Sequence, residues 1–195
     1  MRWIFALTLG LFLANAQTPT PIYNNIPSPL SPSLTSQSFE ALPYHYSEFG
    51  NLIAFGGTAR NLTSVTVAMV TLGYRSKYGA TATSTGWTEP ALTLKIYSVG
   101  SGNQPGSVIA SYTRPFQVPW RPEPDPSCGG TLWLAPDGCH NGMAFNVVFD
   151  ALALTVPDQV IFSVAYNTQS AGYSPIGTVG PYNDLNVGLN NGITV

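Results

Sequence analysis

Four acidic side chains are the first residues with chemistry in view: Glu89, Glu123, Asp125 and Asp137. Glu123 and Asp125 stand two apart. Carboxylates two apart on a strand share one face, and such a pair can flank a sugar bond as acid and base or nucleophile. Here Pro122, Pro124 and Pro126 surround the pair. Proline donates nothing to a ladder, so this is no central strand, and a solvated turn is the ordinary outcome. Glu123, Asp125 and Asp137 with loop carbonyls also form a weak candidate set for a metal, calcium, because hard cations need several oxygens. No EF-hand-like loop accompanies them, and no cofactor is expected.

Nucleophilic chemistry has little to work with. The histidines are His45 and His140, and neither G-x-S-x-G nor H-E-x-x-H occurs. Cys128 and Cys139 form an isolated, even pair, which in a secreted chain reads as a disulfide closing a short loop. His140 follows Cys139, but a fourth zinc ligand is missing at the usual spacing. No Gly-rich phosphate loop follows a strand and opens a helix.

Aromatic residues offer a second kind of chemistry. Trp87, Trp120 and Trp133 fall in two stretches without strand alternation, residues 74–90 and 115–141. Long irregular segments in compact domains tend to be functional. Flat rings on loops can stack on sugars, and Arg121 beside Trp120 carries several donors in a rigid fork. Trp87, Trp120, Arg121 and Trp133 are therefore the candidate ligand contacts. The ordinary alternative is that the rings pack beneath the loops and seal the domain.

The elements that must position these residues begin with an address. Met1 and Arg2 precede an apolar run from Trp3 to Leu13, and Ala14-Asn15-Ala16 matches a small-x-small cleavage site. This predicts a signal peptide over residues 1–16, cut between Ala16 and Gln17. The run is too short for a membrane span, and no later segment is apolar for long enough, so no transmembrane segment is expected after removal of the signal. A mature chain starting at Gln17 lacks the first-residue histidine of secreted copper monooxygenases. Removing Arg2 leaves six basic against nine acidic residues, a net of −3. That provides no electrostatic footprint for nucleic acid. Charged residues are only 8% of the chain, against a usual ~25%.

Residues 17–38 hold five prolines and many Ser and Thr, and read as an extended leader from which Ile22, Tyr23 and Ile26 could dock. From residue 39 the pattern is period 2. Val65, Val67 and Met69 alternate with their neighbours, as do Leu92, Leu94 and Ile96, then Phe145, Val147 and Phe149, then Val160, Phe162 and Val164. These are the expected core. Shorter strands are expected near residues 52–55, 108–112 and 185–189, and no helix of ten residues is convincing. Many short strands separated by Gly, Pro, Asn and Ser predict an all-β fold, one antiparallel β-sandwich or jelly-roll-like domain over residues 39–195. A further Gly/Pro-rich loop is expected over residues 172–182. Asn61-Leu62-Thr63 is the single N-glycosylation sequon. It predicts a glycan on a surface turn if the source is a eukaryote and means nothing if it is a bacterium.

The run Ile22-Tyr23-Asn24-Asn25-Ile26-Pro27-Ser28-Pro29 resembles the opening of a group of secreted bacterial-type β-sandwich proteins of unknown function, often with an anchoring tail. The resemblance continues through Glu48-Phe49-Gly50, Leu62 to Val67, Gly86-Trp87-Thr88 and Leu92 to Tyr97. It ends with Val118-Pro119-Trp120-Arg121-Pro122-Glu123, Tyr166-Asn167-Thr168, Gly180-Pro181-Tyr182 and Leu185-Asn186-Val187. It spans nearly all of the mature chain. It implies an extracellular β-sandwich, carries no activity and assigns no catalytic residue. Proteins of this look usually continue past the Leu-Asn-Val strand, so the sandwich either lacks its last strands or is a shorter version.

Two functions are expected from these residues. The favoured one is a secreted, non-catalytic module that binds glycan or a cell surface, or serves as an extracellular structural component. The other is a secreted polysaccharide hydrolase or lyase working through the acids above. Sandwiches host both.

Overall fold

The computed structural model describes residues 20–37, 48–78, 85–166 and 184–189, with the side chains of residues 78 and 88–90 set apart. The expected signal peptide with its Ala16/Gln17 junction, His45 and the loop over residues 172–182 lie outside the described residues.

Twelve strands occur among the described residues. They are β1 (Thr35–Gln37), β2 (Phe49–Ala54), β3 (Asn61–Leu62), β4 (Val65–Thr71), β5 (Gly86–Val99) and β6 (Pro105–Pro119), then β7 (Trp133–Ala135), β8 (Gly138–His140), β9 (Met143–Phe149), β10 (Leu154–Thr155), β11 (Gln159–Ala165) and β12 (Leu185–Leu189). Two four-stranded sheets result, ordered β1-β12-β4-β9 and β2-β11-β5-β6, with two small ribbons, β10-β3 and β7-β8. The named pairings are antiparallel. The fold is the all-β, antiparallel sandwich that the alternation predicts. The α-helix among the described residues is a single turn, α1 (Arg75–Tyr78), and no helix among them is long and apolar enough to cross a membrane.

The alternation builds the core directly. Val67 and Met69 on β4 lie beside Val147 and Phe145 on β9. Leu92, Leu94 and Ile96 come from β5, and Val160 and Val164 from β11, all in one buried cluster with Phe149. Three of the expected core residues, Val65, Phe145 and Phe162, are partly buried and pack against that cluster. β4 exceeds a period-2 reading, because Val70 on its other phase is 1% exposed. Gly142 lies against it, so close that a Cβ there would meet Val70 Cγ1.

Three boundaries differ from the sequence reading. Thr35–Gln37, placed in the leader, is β1 and pairs with β12. The leader also docks through Gly56 N to Ile22 O (2.8 Å) and Ala144 N to Pro32 O (3.0 Å), and Ile22 packs on the core. Its apolar residues and free carbonyls meet edges that need partners. Next, residues 86–90 are not loop but the start of β5. Finally, residues 115–119 are the end of β6, where Gly86 to Glu89 pair with Pro119 to Phe116. Pro115 and Pro119 are tolerated because β6 is an edge strand, where a missing N–H costs no ladder bond.

Candidate functional site

The residues singled out for chemistry gather around the junction of β4, β6 and the proline-rich loop. Tyr74 forms a bridge with Arg121, and Arg121 N donates to Gly73 O (2.9 Å). This brings the guanidinium under the loop. Arg121 is 3% exposed. Its Nε donates to Leu72 O (3.1 Å), Nη1 to Pro122 O (2.9 Å) and Nη2 to Thr131 O (2.9 Å). The cation lies 4.4 Å from the centre of the Tyr74 ring. Burial lowers its pKa from the ordinary value, opposed by Tyr74, Asp184 and Glu123. An arginine stays charged under such a shift. The fork is thus filled by backbone carbonyls and ties the end of β4 to both sides of the loop, which corrects its expected place among ligand contacts.

The tryptophans are distributed in the same way. Trp87, on β5, is 2% exposed, and Trp133, on β7, is 7% exposed. Both were expected on loops, and both are corrected to packing residues, because their segments pair as strands and turn the rings inward. Trp133 Nε1 donates to Gly142 O (3.0 Å), while Trp87 Nε1 has no hydrogen-bond partner among the described residues. Trp120 is half-buried. Its ring centre lies 5.0 Å from that of Trp87, tilted by 40°. Gly73 sits against both rings, and a Cβ there would stand 3.0 Å from Trp87 and 3.3 Å from Trp120. Trp120 is the one tryptophan among the described residues that reaches solvent.

Around this knot the loop is stapled. Cys128 and Cys139 form the expected disulfide, with Cα atoms 5.6 Å apart. Asp125 organises the turn before it. Its Oδ1 accepts from Ser127 N and Oγ, and its carbonyl accepts from Cys128 N and Gly130 N. The chain then needs two left-handed residues in succession, Gly129 (φ 74°) and Gly130 (φ 70°), a conformation glycine adopts without steric cost. The Ser127 side chain, then its backbone N–H, lower the Asp125 pKa.

The acids do not converge. Glu123 accepts from Ser76 N and Oγ on α1. Asp125 faces its own turn, and Asp137 meets His140 Nε2 at 2.8 Å across the β7–β8 hairpin. That contact lowers the Asp137 pKa. The expected calcium set is not brought together. Among the described residues no group of three His, Cys, Asp or Glu could hold a metal ion. Of Glu89 only the backbone is described.

A titratable cluster that sequence reasoning missed lies on the outer face of the second sheet. Glu48 accepts from Lys95 Nζ (2.5 Å), Tyr97 OH (2.5 Å) and Ser163 Oγ (2.8 Å). Lys95 and Ser163 are register partners on β5 and β11. Lys95 and Tyr97 occupy the phase opposite Leu94 and Ile96, so their outward direction was legible. Glu48 precedes β2 with no pattern to mark it. Burial raises the Glu48 carboxyl, but the three hydrogen bonds outweigh it and hold the pKa below the ordinary value. The bond to Glu48 raises Lys95, and burial followed by that same carboxylate raises Tyr97. These directions make Glu48 a poor base for Ser163. A nucleophilic serine needs a base that takes its proton, yet here the carboxylate is a weakened base and the lysine keeps its proton. Ser163 is also 4% exposed.

Among the described residues a small cleft of about 180 Å³ opens between β2 and β11 on one side and β4 and β12 on the other, its lining including the apolar Ile26, Phe49, Phe162 and Val187. It is smaller than ordinary ligand pockets of roughly 300–1,000 Å³. No family model, curated protein or solved structure matches this chain.

Proposed function

We propose that this chain is a secreted, non-catalytic β-sandwich module whose work is adhesive or structural, with contact to glycan or another extracellular surface made around Trp120. One observation carries the reading: Glu123, Asp125, Asp137, Glu48 and Arg121 each already have hydrogen-bonding partners within the chain. Catalysis needs groups free to exchange a proton with a substrate or to attack it, and the hydrogen bonds of these groups are directed into the chain itself. The disulfide fits an oxidising compartment, and the predicted signal peptide and the resemblance to secreted bacterial-type sandwich proteins point the same way. Trp120 supports the binding side of the reading, since it offers a half-exposed ring on a stapled platform.

The test pairs a glycan array with a reducing-sugar release assay, both using protein that begins at Gln17. Retention on glycan without release is the expected result, and Trp120→Ala removes it while the fold persists. Sugar release that disappears in Glu123→Gln or Asp125→Asn would replace this reading with a hydrolase.

A further inference from the structure

We infer that Asn61 is an acceptor for an N-linked glycan, held on the β3–β10 ribbon with its sugar in water. The inference rests on the secretory part of the reading above and on export through a eukaryotic secretory pathway, the condition under which the sequon carries meaning. Asn61-Leu62-Thr63 is the single sequon of the chain. Alternation on β3 sends Leu62 into the core and leaves Asn61 and Thr63 exposed on either side. The backbone is fixed there by Leu152 N donating to Thr63 O (2.9 Å) and by the pairing of Asn61 with Thr155.

The amide itself is suited to modification. Asn61 Oδ1 accepts from Thr155 Oγ1 (3.1 Å), while Nδ2 donates to no partner, and the Thr63 hydroxyl is likewise free among the described residues. In glycan transfer from a lipid diphosphate oligosaccharide, a bond forms between Nδ2 and the anomeric carbon. The bond from that carbon to the diphosphate oxygen breaks. One amide proton passes to a base of the transferase, and the lipid diphosphate leaves. The modified amide loses one N–H and keeps its carbonyl oxygen. The fold therefore loses no hydrogen bond, and the Thr155 contact survives. The nearby Ser64 and Thr155 are polar and exposed, so the glycan covers no surface that must stay dry.

The experiment expresses the full chain in a eukaryotic secretory host, once with its own first 16 residues and once with a foreign leader in their place. Peptide masses around residue 61 are read before and after endoglycosidase treatment. The expected result is a glycan at Asn61 under both leaders, lost in Asn61→Gln and in Thr63→Ala, kept in Thr63→Ser, with unchanged melting of all variants. Exported protein carrying an unmodified Asn61 under either leader overturns the inference. A chain that stays inside the cell with its own leader, yet carries the glycan with the foreign one, supports the acceptor and overturns the secretory reading instead.

Discussion

Arg121 and Glu48 are both charged side chains held by three hydrogen-bonding partners, the first buried and the second partly exposed, yet the partners differ in kind. Arg121 is met by the carbonyls of Leu72, Pro122 and Thr131. Glu48 is met by the side chains of Lys95, Tyr97 and Ser163. Carbonyls do not titrate, so the arginine knot is indifferent to pH across the physiological range. Two of the three groups around Glu48 do titrate, so that cluster is a pH-dependent clasp. The difference also sets what each region can do. The knot joins the end of β4 to a loop far along the chain and fixes a platform for Trp120. The clasp joins the start of β2 to β5 and β11, elements that the sheet already pairs.

The largest effect is expected from Arg121→Met. It leaves three inward carbonyls without their donor, at about 3–5 kcal/mol in total, read as a drop in urea midpoint. Arg121→Lys recovers only part, since a compact ammonium cannot reproduce the planar fork. A variant that melts like the parent would mean that the loop holds itself. The next effect comes from the staple in the same loop. Replacing Cys128 and Cys139 together by Ala removes a crosslink across a separation of 11 residues, costing about 3 kcal/mol by the loop-entropy account. If the pair costs more than Arg121→Met, the ranking within the knot reverses.

How far these regions were legible follows from the same contrast. Period-2 alternation marks Val67, Met69, Leu94, Ile96, Val147 and Val164, because burial on a pleated strand is a local property of the chain. The cysteine pair is legible for a different reason: two thiols in an oxidising space have one option. Arg121 was visible as a residue but not as a knot, since its partners are backbone carbonyls and any residue carries one. Trp87 and Trp133 were misplaced because Gly, Pro and Thr around them resemble loop composition. What overrides that composition is pairing: β5 with β6 around Trp87, and β7 with β8 around Trp133. Glu48 was missed because its three partners lie 47 to 115 residues away.

The clasp is expected to show a smaller effect with a magnitude that depends on pH. Glu48→Gln keeps the shape and loses the charge, at about 1 kcal/mol near neutrality, read by denaturant unfolding. The folded pKa of Glu48 lies below its ordinary 4.5, so its contribution is present above pH 4.5 and is lost as pH falls through the folded value. Lys95 and Tyr97 are raised above their ordinary 10.5 and 10.0. Their contributions are therefore present below those values and fade as pH rises through the folded ones. Wild type minus Glu48→Gln should trace a plateau between these limits, falling at both ends. The corresponding difference for Arg121→Met should stay flat. A flat curve for both would show that the clasp carries no charge coupling.

The smallest effect is assigned to Asp137, and it separates a lowered pKa from a stabilising one. His140 lowers Asp137 as hydrogen-bonding partners lower Glu48. The Asp137 side chain is 50% exposed, against 23% for Glu48. Water and salt screen an exposed pair, and holding two side chains in one geometry costs entropy that offsets the attraction. The hairpin beneath it is already held by the disulfide and by the buried Trp133. Asp137→Asn should therefore leave the urea midpoint unchanged at 0.15 M salt, roughly physiological ionic strength, at pH 7 and at pH 4 alike. A measurable loss that appears at pH 7 and vanishes in acid would place the Asp137–His140 pair with the clasp. The contrast would then lie between side-chain and backbone partners alone, with burial playing no part in it.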